Sequence, residues 1–168
     1  MTLGQRRRRI LPHHTPRNVA SAIYGLVLGS SIIAAASAEH SNDAGVVEIY
    51  LILTAFVFYL AHVYSRVIAS WIEGETPGFA AVRRELGHEW PMVEAQLLPA
   101  LALLLGVLGI IGSSLAISLA LAISLAELMA GVVYACWQAR ATTLQAVLSV
   151  VAALAFALVV LALKILIH

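Results

Sequence analysis

Residues 97–137 read LLPALALLLGVLGIIGSSLAISLALAISLAELMAGVVYACW and carry one charged side chain, Glu127. A helix crosses the hydrocarbon core of a bilayer with about 20 mostly apolar residues. This run is too long for one crossing and suits two. Gly109-Ile110-Ile111-Gly112-Ser113-Ser114 offers the turn between them, because glycine and serine break helices. The third and fourth spans are therefore expected over residues 92–111 and 115–137.

The same reading extends outward. Residues 19–38, 46–71 and 144–166 are the first, second and fifth spans. Residues 73–91 carry Glu73, Glu75, Arg83, Arg84, Glu85, His88 and Glu89, so they are read as a loop outside the core. Of the 168 residues 61% are hydrophobic and 11% charged, against about 45–50% and 25% in a soluble domain. That balance excludes a soluble globular protein, a disordered tail and a nucleic-acid module. The single cysteine, Cys136, excludes a disulfide framework and a four-cysteine zinc site. The expected fold is an all-α integral membrane protein. It is a bundle of five transmembrane helices with a short amphipathic helix on the inner surface.

Basic residues orient the bundle. Arg6, Arg7, Arg8, Arg9 and Arg17 precede span one, Arg83 and Arg84 follow span two, and Arg140 follows span four. The first and third connections have no Lys or Arg, and Lys164 alone falls on the other side. The positive-inside rule then places the N-terminus in the cytoplasm and the C-terminus outside, in a plasma or inner membrane. Ala36-Ser37-Ala38 after an apolar stretch also resembles a signal-peptide cleavage site. The apolar stretch is longer than a usual signal core, and its Gly25-x-x-x-Gly29 spacing suits helix packing.

Polar side chains inside the spans carry the functional expectation. Glu127 sits near the middle of span four, where an ionised carboxylate must be paired, protonated or wet. Tyr59, His62 and Arg66 share one face of span two, and Ser124 and Glu127 share a face of span four. Glu127 is expected to pair with His62 or Arg66, as a proton or cation relay. The alternative is a structural polar clamp in a non-catalytic interaction or assembly protein. No nucleophile–base pair, phosphate loop or complete metal site is present, so neither an enzyme nor a bound cofactor is expected.

Phe79, Val82, Leu86 and Trp90 recur at helical spacing in the inner loop and suggest a surface-lying helix. Glu85-x-x-His88, with Glu89 and Glu94 nearby, has the spacing of half a di-iron carboxylate site. A solvated face paired with Arg83 and Arg84 is the other reading. Arg6–Arg9 are expected to contact anionic lipid on the inner leaflet, at about 1 kcal/mol per residue. A homo-oligomer is possible through small-residue stripes such as Ala122, Ala126 and Ala130, and nucleic acid is not expected as a partner.

In layout the chain resembles the vacuolar iron transporter family. The shared features are five spans, an inside N-terminus, an acidic helical insert after span two and Gln138-Ala139-Arg140 after span four. The family has a Gly-x-x-Asp-Gly-like pattern in span one. Gly25-Leu26-Val27-Leu28-Gly29 keeps the glycines but has Leu28 where the transport carboxylate would stand. In span two His62-Val63-Tyr64-Ser65 occupies the place of the family's Glu, Tyr and Ser. The family's metal-binding insert is longer and richer in Glu and Met. The resemblance implies a metal-ion transporter fold whose usual metal path is altered in this chain.

Overall fold

The computed structural model describes residues 16–39, 43–74 and 78–167. Arg6–Arg9 and the Thr76-Pro77 part of the inner-loop turn lie outside them. Six helices follow in order: α1 (Pro16–Glu39), α2 (Ala44–Ile72), α3 (Phe79–Glu94), α4 (Leu97–Val107), α5 (Ser113–Gln138) and α6 (Thr143–Ile167). Among the described residues there is no strand.

Helix ends follow from local chemistry. Asp43 caps α2, its Oδ1 accepting from the Gly45 and Val46 amides at 2.8 and 3.4 Å. The α4–α5 turn falls in the glycine–serine segment. Gly109 adopts φ +71° there, and the Ile110 and Gly109 amides return to the Leu105 and Gly106 carbonyls. This is a Schellman end, which asks for a left-handed residue.

Four helices are long and apolar enough to cross a membrane, and a fifth crossing exists if α3 and α4 count as one span bent by 51°. The expected third span, residues 92–111, falls on two helices, the end of α3 and all of α4. With 11 residues, α4 is about 16 Å long, roughly half a hydrocarbon core. The bend has an identifiable cause. Pro99, in the first turn of α4, has no N–H, and a proline ring clashes with the carbonyl four residues back, here that of Ala95. The helix breaks at Ala95-Gln96, and α3 lies on the side of the break toward the basic end of the bundle.

The inner-surface helix also differs from expectation. α3 packs along α1 and α2 rather than lying apart from them. Its buried stripe is Ala81, Glu85, Glu89 and Met92, while Phe79 and Trp90 are exposed. Arginines on α1 and α2 draw the acidic face inward, which leaves those two apolar side chains on the outside. Gly25 and Gly29 permit this contact. A Cβ at Gly25 would stand 2.5 Å from the Met92 carbonyl oxygen, and one at Gly29 would collide with the Gln96 side-chain amide. The small-xxx-small spacing of α1 therefore serves packing within the chain. Ala122, Ala126 and Ala130 instead face outward.

The tightest core lies toward the end opposite the arginines, where Ile33, Val47, Leu51, Leu103 and Ile117 are fully buried. The outer faces are apolar: Ile49, Ile52, Leu53, Phe56, Val57 and Leu60 on α2, and Leu148, Val151, Leu154, Leu158 and Val159 on α6, are all exposed. Contiguous surfaces of this kind are rare on soluble monomers and are compatible with an integral membrane protein.

Candidate functional site

Two polar sites stand out. The first is an ion-pair network at the basic end, where α1, α2 and α3 meet. Arg17 donates from Nη2 to Glu85 Oε2 at 2.6 Å, and Arg84 donates from Nε to Glu85 Oε1 at 3.2 Å. Glu89 lies one turn further along α3. Its Oε2 accepts from the Ser21 hydroxyl at 2.7 Å, and its Oε1 lies 3.5 Å from Arg66 Nε. Both carboxylates are almost wholly buried. A polar cavity of about 420 Å³, lined by Arg17, Arg66, Ser70, Glu73, Arg84 and Glu85, opens beside them. The network tethers three helices through two carboxylates that would each cost several kcal/mol if buried alone.

Neighbouring side chains of span two serve the same interface. The Tyr59 hydroxyl donates to the Leu86 carbonyl at 2.9 Å, and its ring meets Trp90 edge-on with centroids 6.0 Å apart. His62 Nδ1 lies 3.2 Å from the Phe58 carbonyl oxygen of its own helix, and the His62 ring lies against Tyr24 at 4.7 Å. Gln96, at the α3–α4 break, donates from Nε2 to the Gly25 carbonyl, and its Oε1 is buried without a hydrogen bond.

The second site is Glu127, partly buried near the middle of α5. Its Oε2 is buried with no hydrogen-bond partner among the described residues. Ser124, one turn away, donates to the Leu26 carbonyl at 3.3 Å and so fastens α5 to α1. The expected pairing of Glu127 with His62 or Arg66 is not what the structure shows. Helix α1 packs against both α2 and α5, which touch each other little, and Arg66 is engaged by Glu89. One turn nearer the basic end lies a cavity of about 360 Å³, lined by Asn18, Ala22, Leu26, Pro91, Gly131 and Tyr134 among others.

The expected metal group does not assemble. Among the described residues no three His, Cys, Asp or Glu side chains converge as a metal site would require. Helical geometry explains this. Glu94 lies nine residues beyond Glu85, half a revolution round the helix, and it is exposed. Glu85 and Glu89 face arginines, and His88 lines a separate surface cavity with Asn18, Arg83 and Arg84.

Arg17, Ser21 and Gln96 are members of these sites that the sequence reading passed over. Arg17 is legible there only as a topology signal. The available clue was spacing: Glu85 and Glu89 fall on one stripe with Ala81 and Met92, a pattern of inward-facing carboxylates. No protein-family model, curated protein or solved structure matches the chain.

Proposed function

We propose that the chain is a small membrane transporter that carries protons, with Glu127 as the carrier group. The observation that carries this reading is the Glu127 carboxyl itself, with Oε2 buried in mid-span and no hydrogen-bond partner among the described residues. Retaining a lone carboxyl at that depth is costly, and intramembrane carboxyls of this kind mark proton pathways. Arg17, Arg66 and Arg84 are engaged by Glu85 and Glu89, and among the described residues no salt bridge joins an arginine to Glu127. A lone carboxyl suits a proton better than a metal ion, which needs several ligands.

The layout supports a route. By the positive-inside rule the arginine end faces the cytoplasm. The cavity beside Gly131 and Tyr134 lies between that end and Glu127. On the other side Leu103, Ala116, Ile117, Ala120 and Leu121 close the bundle. The reading is therefore of a carrier open toward the arginine end and sealed at the opposite one.

The test is proton flux into proteoliposomes, followed with a trapped pH-sensitive dye. Glu127→Gln is expected to reduce flux to that of empty vesicles, and His62→Ala to leave it intact. Full flux in Glu127→Gln overturns the proposal. The second reading is an assembly protein, favoured by the closed Arg17–Glu85–Arg84 and Arg66–Glu89–Ser21 contacts. It predicts that the parent protein carries no flux at all.

A further inference from the structure

Helices α1, α5 and α6 do not close on one another. An apolar cavity of about 350 Å³ runs between them, lined by Ile23 and Val27 of α1, Leu128 and Val132 of α5, and Ala152 and Phe156 of α6 among others. A second, more polar cavity of about 410 Å³ is lined by Ala135, Cys136, Ala139, Ala141, Gln145 and Ser149. Ala135, Cys136 and Ser149 line both, so the two form one groove with an apolar length and a polar mouth. The cause is in the sequence. The facing stripes of α5 and α6 carry Ala135, Ala139, Ala152, Ala153, Cys136 and Ser149, which are too small to fill the space.

Length and charge identify an occupant. From Leu128 to Ala139 the groove follows three turns of α5, or about 16 Å. That matches one leaflet of a hydrocarbon core of about 30 Å. Space lined by apolar side chains stays dry, so within a bilayer it takes hydrocarbon. Ala139 and Ala141, which line the mouth, are the chain neighbours of Arg140, whose side chain is exposed and forms no salt bridge among the described residues. An acyl chain beneath an anionic headgroup has this shape and this charge. A neutral amphiphile would leave the guanidinium without a counter-charge.

We propose that this groove binds one phospholipid of anionic headgroup from the leaflet at the arginine end. One acyl chain lies along α5 and α6 as far as Leu128, and the phosphate sits beside Arg140. The site is independent of proton transport through Glu127.

Cys136 is the only cysteine of the chain and lines both parts of the groove, so it reports occupancy directly. The full-length protein in neutral detergent is reacted with a membrane-permeant maleimide, while phosphatidylglycerol or phosphatidylcholine of identical chains is added. Phosphatidylglycerol is expected to slow alkylation at a concentration about fivefold lower than phosphatidylcholine requires, the preference one arginine near an anionic headgroup confers. Arg140→Gln is expected to remove that preference and to keep the protection common to both lipids. Ala152→Phe, which fills the groove, is expected to slow alkylation without lipid and to abolish the response to either. Equal protection by the two lipids in the parent protein overturns the headgroup assignment. No protection by either overturns the site.

Discussion

Arg17 and Glu85 are 68 residues apart in the chain and meet at 2.6 Å. That contact joins the first turn of α1 to an acidic helix that composition alone would place outside the bundle. Breaking a buried ion pair by removing one partner costs about 3–5 kcal/mol. Arg17 is partly exposed and Arg84 still reaches Glu85, so Arg17→Ala is expected to cost nearer 2 kcal/mol. Glu85→Gln in the Arg17→Ala background removes a buried carboxylate left with only the Arg84 contact and is expected to recover part of that loss. Thermal unfolding in detergent measures both, and a double variant no more stable than Arg17→Ala alone would contradict the assignment.

The glycines of α1 give a graded expectation. Alanine at Gly25 meets the Met92 backbone, which cannot turn aside, whereas alanine at Gly29 meets only the end of the Gln96 side chain. Overpacking of this kind costs about 1–3 kcal/mol. Gly25→Ala is therefore expected near the upper end and Gly29→Ala near the lower. Gly87, with nothing within 4 Å of a built Cβ, is the control. Gly87→Ala is expected to stabilise α3 by about 0.5–1 kcal/mol through helix propensity. Unfolding midpoints should follow the order Gly87→Ala, parent, Gly29→Ala, Gly25→Ala.

These contacts show what a one-dimensional reading can hold. The apolar runs and the glycine–serine turn at residues 109–114 were legible, because crossing a bilayer demands length and hydrophobicity in one continuous stretch. The path of α3 was not. Its Phe79, Val82, Leu86 and Trp90 stripe reads as a buried face only if the neighbouring surface is apolar, and the neighbours here present Arg17 and Arg66 instead. The polar faces of spans two and four likewise suggest a contact of Glu127 with His62 or Arg66. What decides contact is which helices are adjacent, and α1 and α4 each pack against both α2 and α5, which touch each other little.

Two helix ends share one geometry with different residues. Gly109 ends α4 at φ +71°, and Arg140 ends α5 at φ 50°. At the second, the Arg140 and Ala141 amides return to the Trp137 and Cys136 carbonyls in the same Schellman pattern. A left-handed conformation costs a residue with a Cβ about 1–2 kcal/mol. Gly109→Ala is therefore expected to destabilise by about 1 kcal/mol and Arg140→Gly to stabilise by a similar amount, in detergent free of anionic lipid. Arginine held in a conformation that favours glycine is consistent with a task for its charge. If Arg140→Gly also lowers stability in lipid-free detergent, the backbone argument fails.

The sharpest separation between transport and architecture concerns the stability of Glu127 variants. A buried acceptor without a partner costs about 1–3 kcal/mol relative to an apolar replacement. Glu127 Oε2 is in that position, and the surroundings of α5 are otherwise apolar. Glu127→Leu is therefore expected to raise the unfolding midpoint while abolishing proton flux, the exchange of stability for function common at active positions. A clamp residue behaves in the opposite sense. Glu89→Leu would remove the buried carboxylate that faces Arg66 and accepts from Ser21, leaving Ser21 only the Arg17 carbonyl at 3.2 Å, and is expected to lower stability. Unfolding curves of the two leucine variants, beside flux measured on the same preparations, separate the roles. If Glu127→Leu is the less stable of the pair, Glu127 is an architectural group and the carrier assignment falls with it.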